Sequence, residues 1–284
     1  MEIDGDTELT GILGHDISYT LSPAMHNAAF RYYGMNWVYL PLRAAPGEVG
    51  AAVEGLRALG FRGFNVTIPH KLRVAELVDR LEGDAEVLGA VNTVVAAGDV
   101  LVGHNTDAEG FRAFMRERSI AVRGAGVMVI GAGGAARAVA LAAAREGASR
   151  IVVVNRTRRR ADDLAEALKK AVASTEISVK GFDREGMREI AGCSLAVNCT
   201  PLTGEEDLPL DYRELAPGTW AVDLKYGRGP GAFLREAGAR GAMTAGGEGM
   251  LLHQAAISFR LWTGLEPPLE EMREALGRAL ERSG

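Results

Sequence analysis

Val127-Met-Val-Ile-Gly131-Ala-Gly133-Gly-Ala-Ala136, then an alanine-rich run to Glu146, Gly147, and Ile151-Val-Val-Val154-Asn-Arg-Thr157, decides the fold. Val127–Ile130 is a short apolar run that reads as a buried strand, and Ala138 to Glu146 favours helix. Gly147 ends that helix, and Ile151–Val154 reads as the next buried strand. Strand, glycine turn, helix and strand is the order a dinucleotide site requires. Gly131 permits the tight turn, Gly133 lets the backbone approach a pyrophosphate, and the helix N-terminus offers unpaired N–H groups to the anion. A glycine-rich turn without a ligand is the alternative, and the flanking elements argue against it.

The residues after the second strand speak to the cofactor. NAD sites place Asp or Glu about twenty residues beyond the glycines, where it binds the ribose 2′-OH. This chain has Asn155-Arg156-Thr157 and then Arg158, Arg159 and Arg160. A carboxylate repels a 2′-phosphate, whereas a guanidinium grips it in two places. Cations at a helix start oppose the macrodipole by about 0.3–1 kcal/mol each, so four arginines there make sense around an anion. The expected cofactor is NADP.

Composition is compatible with this. A chain of 284 residues with 47% hydrophobic content can fill two cores. The net charge of −5 and the lack of a basic face argue against a nucleic-acid partner. Met1-Glu-Ile-Asp-Gly-Asp6 has no apolar core, so it does not read as a signal peptide. No apolar window reaches membrane-span length. Cys193 and Cys199 read as reduced thiols, and the expected location is the cytoplasm.

Strand and helix alternate over the first hundred residues. Leu9–Leu13, Trp37–Leu40 and Gly63–Val66 read as strands. Helices are expected from Ser22-Pro23 to about Tyr33, from Pro46 to near Gly60, and from Pro69. Ala90–Val95 and Val100–Val102 flank a turn at Gly98-Asp99. A helix over Arg158–Val172 and strands near Ile177, Leu195–Asn198 and Trp220–Leu224 continue the second half. From Met250 the chain reads as helical, with a break at Pro267-Pro268. The expected architecture is α/β with two domains. Residues 1–107 form a mainly parallel catalytic domain, 108–247 a doubly wound Rossmann domain, and 248–284 helices returning to the first. The active site is expected in the cleft between them.

Asn65-Val-Thr-Ile-Pro-His-Lys71 carries the chemistry of the first half. With Pro69 opening a helix, Lys71 falls in its first turn, where the positive helix end should depress its pKa. Asp107, in His104-Asn-Thr-Asp-Ala-Glu-Gly110, is a natural counterpart. A Thr106–Glu109 capping box would instead make it an ordinary first-turn carboxylate. Spacing alone leaves open whether Lys71 and Asp107 meet.

Eight motifs occur in order: Thr20-Leu-Ser22-Pro-Ala-Met-His-Asn27, Asn65 to Lys71, Gly89-Ala-Val-Asn-Thr93, Asn105-Thr-Asp107, Gly131 to Ala136, Asn155-Arg-Thr157, Asn198-Cys-Thr-Pro-Leu202, and Gly249-Met-Leu251 with Gln254. In this the chain resembles the shikimate dehydrogenase family over essentially its whole length. The resemblance implies reversible NADPH-dependent reduction of 3-dehydroshikimate to shikimate, in the synthesis of chorismate and aromatic amino acids. By it, Lys71 and Asp107 are the catalytic pair. Asn65, Thr67, Asn92, Gln254 and Tyr226 contact substrate, and Thr20 and Ser22 bind its carboxylate. It also implies cofactor contacts at Gly131, Ala132, Gly133, Gly134, Ala135, Asn155, Arg156, Thr157, Arg160, Thr200, Gly247 and Met250. The partner is a small-molecule substrate, with neither nucleic acid nor membrane, and a homodimer is an admissible assembly.

The family usually has Ser-x-Ser-Pro where this chain has Thr20-Leu-Ser22-Pro23. Threonine keeps the donor and adds a methyl group, so acceptance of quinate stays open. Ser22 also suits the helix N-cap before Pro23. His15, His26, His70, His104 and His253 lack metal-ligand spacing, and no metal is expected. The rivals are a quinate/shikimate dehydrogenase of relaxed choice, a non-catalytic dinucleotide-binding regulator, and a methylene-tetrahydrofolate dehydrogenase. Lys71 with Asp107 argues against the second, and the hydroxyls of Thr20 and Ser22 against the third.

Overall fold

The computed structural model describes residues 3–202, 208–227 and 229–283. The chain forms two compact units: Met1–Gly110 with Leu251–Gly284, and Phe111–Met250. Sequence alone suggested changes of unit at 107/108 and 247/248.

The first unit contains β1 (Glu8–Gly14), α1 (Ser22–Tyr32), β2 (Trp37–Arg43), α2 (Val49–Ala58), β3 (Gly63–Val66) and α3 (Lys71–Ala75). It continues with β4 (Arg80–Leu81), α4 (Asp84–Leu88), β5 (Thr93–Ala97), β6 (Val100–His104) and the start of α5 (Asp107–Glu117). The sheet order is β2-β1-β3-β5-β6-β4. Neighbours are parallel except that β5 runs against both β3 and β6. One edge therefore gathers the ends of β1, β3 and β6 and the beginning of β5. Buried residues of α1 recur at Ser22, Met25, His26, Ala29 and Phe30, one helical face turned to the core. Met25 and Phe30 are fully buried, each stabilising the fold by about 1.5–3 kcal/mol.

Two local expectations are corrected. Pro46 opens only a 3-10 turn, Pro46–Glu48, ahead of α2. Pro69 lies in a turn outside the helix, and α3 begins at Lys71 with His70 as its N-cap. The His70 N–H bonds Thr67 O at 2.9 Å and its ring reaches Ala44 O at 3.0 Å, so these residues are held as a turn.

The second unit contains β7 (Gly126–Ile130), α6 (Gly134–Arg145), β8 (Arg150–Asn155), α7 (Arg158–Ala171), β9 (Glu176–Gly181) and α8 (Arg184–Met187). It continues with β10 (Cys193–Asn198), β11 (Trp220–Asp223), α9 (Ala232–Ala239), β12 (Met243–Ala245) and the start of α10 (Glu248–Thr263). Its six strands are all parallel in the order β12-β11-β10-β7-β8-β9. The doubly wound order reverses between β7 and β10, the switch point at which such sheets bind ligands. Both faces are covered, so β7 is buried at every residue and reads as an unbroken apolar run. The remainder of α10 and α11 (Leu269–Ser283) belongs to the first unit. There α11 packs on α1, and the Trp262 indole donates to Val94 O at 2.9 Å. Cys193 and Cys199 are free thiols, and burial pushes the first up to about 11 and raises the second as well.

His26 is fully buried in the first unit, stacked on Tyr39 at 4.3 Å and facing Trp262 at 5.1 Å. Neither ring nitrogen makes a hydrogen bond of good geometry within the described residues. Burial pushes its pKa down to about 3, and the nearby Asn65 amide opposes that only in part. The folded value lies below the unfolded one, so no penalty arises above about pH 6.5, and stability is lost as pH falls from there toward 3. At pH 5 the loss from this group is about 2 kcal/mol. His26→Phe is expected to flatten that acid limb in denaturant unfolding measured at pH 7.5 and pH 5. Parallel losses in parent and variant would show that another group governs it.

Candidate active site

The residues that the family resemblance assigns to a cofactor follow strands of the second sheet, toward its carboxyl edge. Gly131 follows β7 with φ +113°, and a side chain there would meet Thr200 at 3.2 Å, so the turn needs glycine. Gly133 is the N-cap of α6 at φ −83°, and a Cβ there would meet nothing of the chain within 4 Å. The fold itself does not demand glycine at 133, whereas a close diphosphate does. No side chain caps α6. Gly131, Ala132, Gly133, Gly134 and Ala135 thus place an open helix start at the switch point.

Asn155 ends β8, and its amide donates to Thr157 O at 2.8 Å. Arg156 to Arg160 are exposed; Arg158 pairs with Asp162 along α7 at 3.0 Å. Among the described residues Arg156, Arg159 and Arg160 have no carboxylate partner, which leaves their guanidinium groups available to an anion. Thr200 follows β10 and donates to Asn198 Oδ1 at 2.7 Å. Gly247 lies against the Leu224 carbonyl, and Met250 is buried in the first turn of α10. Tyr226 is half-buried after β11, at the same edge. Sequence reasoning missed Asp223, which accepts from Lys225 N–H at 3.1 Å and from Asn198 Nδ2 at 3.3 Å, and so holds the Leu224–Tyr226 bend. Burial raises the pKa of its carboxyl.

The reactive groups of the first unit gather at its own edge. Lys71 Nζ donates to Asp107 Oδ2 at 2.5 Å, and the side chains are 15% and 5% exposed, so the pair is largely screened from water. The Lys71 carbonyl accepts from Val91 N–H at 2.9 Å, which ties α3 to the start of β5. Because β5 runs backwards, Asn92 stands where β3 and β6 end, and its Nδ2 donates to Asp107 Oδ1 at 2.8 Å. Asp107 therefore holds a cation on one oxygen and an amide on the other. Gln254 is buried, accepting from Asn92 Nδ2 at 3.3 Å and donating to Leu251 O at 2.8 Å.

The capping-box reading of Thr106 gives way to Asn92. Thr106 N–H donates to Asn92 Oδ1 at 2.7 Å and its hydroxyl accepts from Asn92 Nδ2 at 2.8 Å, while Asn105 Oδ1 takes the Asp107 N–H. α3 is only five residues long, too short for a strong N-terminal dipole. What fixes Lys71 is Asp107. Thr67 follows β3, its N–H bonded to Leu13 O at 2.9 Å and its methyl over Gly14. Asn65 is buried; its Nδ2 faces Asn92 O, Thr93 Oγ1 and Ser258 Oγ, and its Oδ1 accepts from the Tyr39 hydroxyl.

The N-cap expected at Ser22 is Leu21 instead, and Ser22 is the first helical residue, 3% exposed. Thr20 Oγ1 accepts from Ser22 N–H at 3.4 Å. As an acceptor there, Thr20 keeps its own hydroxyl proton to donate. The histidines stay apart: His70 turns to Ala44, and among the described residues no group of three His, Cys, Asp or Glu could hold a metal ion. No helix among those residues is long and apolar enough to cross a membrane.

Comparison with known proteins agrees over the whole length. Residues 12–94 match the shikimate dehydrogenase substrate binding domain, 115–180 shikimate / quinate 5-dehydrogenase, and 247–276 the shikimate 5'-dehydrogenase C-terminal domain. Shikimate dehydrogenase (NADP(+)) of Rubrobacter xylanophilus is 46% identical, covering 96% of this chain and 97% of its own. The crystal structure of shikimate 5-dehydrogenase from Thermus thermophilus, in complex with NADP(H) and shikimate, superposes with TM-score 0.84 at 36% identity, covering 96% of this chain and all of its own. Quinate dehydrogenase from Corynebacterium glutamicum, in complex with NAD, gives TM-score 0.86 at 32% identity, covering 96% of this chain and 99% of its own. A doubly wound unit with an open glycine turn, a buried Lys71–Asp107 pair, and near-full-length identity to such enzymes place this chain in the shikimate dehydrogenase family.

Proposed function

We propose that the protein catalyses the reversible, NADP-dependent interconversion of 3-dehydroshikimate and shikimate, in the cytoplasm. The observation that carries the reading is Lys71 Nζ bonded to Asp107 Oδ2, with Asn92 on the other carboxylate oxygen. Bound NADPH supplies the hydride. As the ketone is reduced, charge grows on its oxygen, and the Lys71–Asp107 pair stabilises that charge and delivers the proton. In the reverse direction the same pair takes the hydroxyl proton. Asn65, Asn92, Thr67 and Gln254 orient the ring hydroxyls; Thr20, Ser22 and Tyr226 receive the carboxylate. Arg156 and Arg160 hold the 2′-phosphate, and the backbone from Gly131 to Ala135 holds the diphosphate. Purified protein given 3-dehydroshikimate should consume NADPH and form shikimate in equal amounts. Consumption without shikimate, or none, would contradict the assignment.

A second reading, relaxed choice that includes quinate, is favoured by one departure, Thr20. If its hydroxyl meets the carboxylate, Thr20→Ser should leave shikimate turnover nearly intact. Thr20→Val keeps the shape and removes the donor. That change should cost about 1.5–3 kcal/mol in kcat/KM, the range for a hydrogen bond to a charged group. Quinate carries an extra hydroxyl on the carbon bearing its carboxylate, so Thr20→Ser should raise quinate turnover relative to shikimate if the methyl crowds it. Equal shikimate kinetics for Thr20→Val and parent would assign Thr20 to the turn before α1 alone.

A further inference from the structure

Behind the amides of Asn65 and Asn92 lies a closed polar network in which Ser258, on α10, is the junction. Ser258, Thr93 and Thr106 are all buried. Ser258 Oγ accepts from Asn65 Nδ2 at 3.0 Å and lies 2.8 Å from Thr93 Oγ1 and 3.3 Å from Thr106 Oγ1. Its own proton goes to the Gln254 carbonyl, one turn back along α10, at 3.0 Å. One hydroxyl from the C-terminal segment therefore touches the Asn65 arm directly and the Asn92 arm through Thr93 and Thr106.

Groups with only one hydrogen-bonding sense fix the direction of each amide. Thr106 N–H can only donate, so Asn92 presents Oδ1 to it and Nδ2 to Asp107 and the Thr106 hydroxyl. The Asn92 carbonyl can only accept, so Asn65 turns Nδ2 toward it, at 3.1 Å, and leaves Oδ1 for the Tyr39 hydroxyl at 2.6 Å. With Asn65 so placed, its remaining N–H needs an acceptor among Thr93 and Ser258, at 2.9 and 3.0 Å. A buried network of this kind is rigid only while every member is satisfied.

We propose that Ser258 is a positioning residue of the reaction, holding Asn65 and, through Thr93 and Thr106, Asn92 in the orientation that receives substrate beside Asp107. This rests on the reading of those residues as the reaction site. Ser258 is fully buried, so its role passes through the residues it holds.

Ser258→Ala preserves helix propensity and removes one of the two acceptors at the Asn65 N–H. Thr93 then serves it alone at 2.9 Å, and the Thr93 proton turns to Asn92 Oδ1 at 3.1 Å, which loosens the hold on both amides. It is expected to lower kcat/KM for shikimate by about 3- to 10-fold, the scale of one buried neutral hydrogen bond lost from the network. The KM for NADP+ should stay within about twofold of the parent value. Thr93→Val, which keeps shape, should lose activity, whereas Thr93→Ser, which keeps the hydroxyl, should retain most of it. In an Asn65→Ala background Ser258→Ala should add little, because the effect passes through Asn65. A packing role alone gives the opposite: Thr93→Ser worse than Thr93→Val, losses that multiply in the double variant, and KM for both substrates moving with Tm. Should Ser258→Ala fail to fold, the Thr93 pair decides. A parent protein inactive on shikimate contradicts the proposed reaction, whereas an active parent with an unimpaired Ser258→Ala contradicts the role of Ser258.

Discussion

Lys71→Ala is expected to lower kcat by about 10²–10⁴-fold, the contribution of a positioned acid–base group, with a smaller change in KM. Among the described residues the Nζ atom is the one proton donor bonded to Asp107 Oδ2, at 2.5 Å, and its side chain is 15% exposed, so bulk water replaces it poorly. Alanine at 71 leaves Asn92 on the other carboxylate oxygen, and the bonds that hold the Asn65 and Asn92 amides do not involve Lys71. Substrate should still bind, and the loss should fall on the chemical step. A folded variant with parental kcat would remove Lys71 from the mechanism.

Neutralising Arg156 and Arg160 together is expected to weaken NADP+ binding by about 30- to 1000-fold, the scale of losing two charge-assisted hydrogen bonds with some relaxation. NAD+ binding should barely move, because it lacks the 2′-phosphate that these side chains would grip. Neither arginine has a carboxylate partner among the described residues, so little in the fold is disturbed. Isothermal titration with both nucleotides reads the contrast. Equal losses for the two would show that the arginines serve the protein and not the phosphate.

The second sheet was legible because parallel strands buried on both faces are written as unbroken apolar runs. Val127–Ile130 and Ile151–Val154 fall inside β7 and β8. Gly131 was legible because its φ of +113° is a backbone demand that few residues meet. The short pieces β4, α4, α8, α9 and β12 were not read, having too few residues for a period to show. Pro69 misled because a proline suits a turn as well as a first helical position, and the Thr67–His70 bond that settles it is tertiary in origin. Ser22 misled because a serine before proline suits either an N-cap or a first helical residue; here Leu21 is the N-cap, no side chain caps α1, and the Ser22 N–H turns back to Thr20 Oγ1.

The meeting of Lys71 and Asp107 had no local signal. It depends on β5 running backwards, which brings the Asn92 end of that strand to the edge where β3 and β6 finish. The buried network was equally silent. Thr93 and Ser258 touch at 2.8 Å across 165 residues of chain, and an isolated hydroxyl carries no periodicity. Family resemblance supplied the roles proposed for Asn65 and Asn92, while the hydroxyls bonded to them became visible only in three dimensions.

The most direct test is steady-state kinetics of one purified sample with shikimate and quinate, each with NADP+ and NAD+. The highest kcat/KM is expected for shikimate with NADP+, with a marked loss on changing to NAD+ and a further loss on changing to quinate. Quinate with NAD+ as the best pair would contradict the proposed reaction.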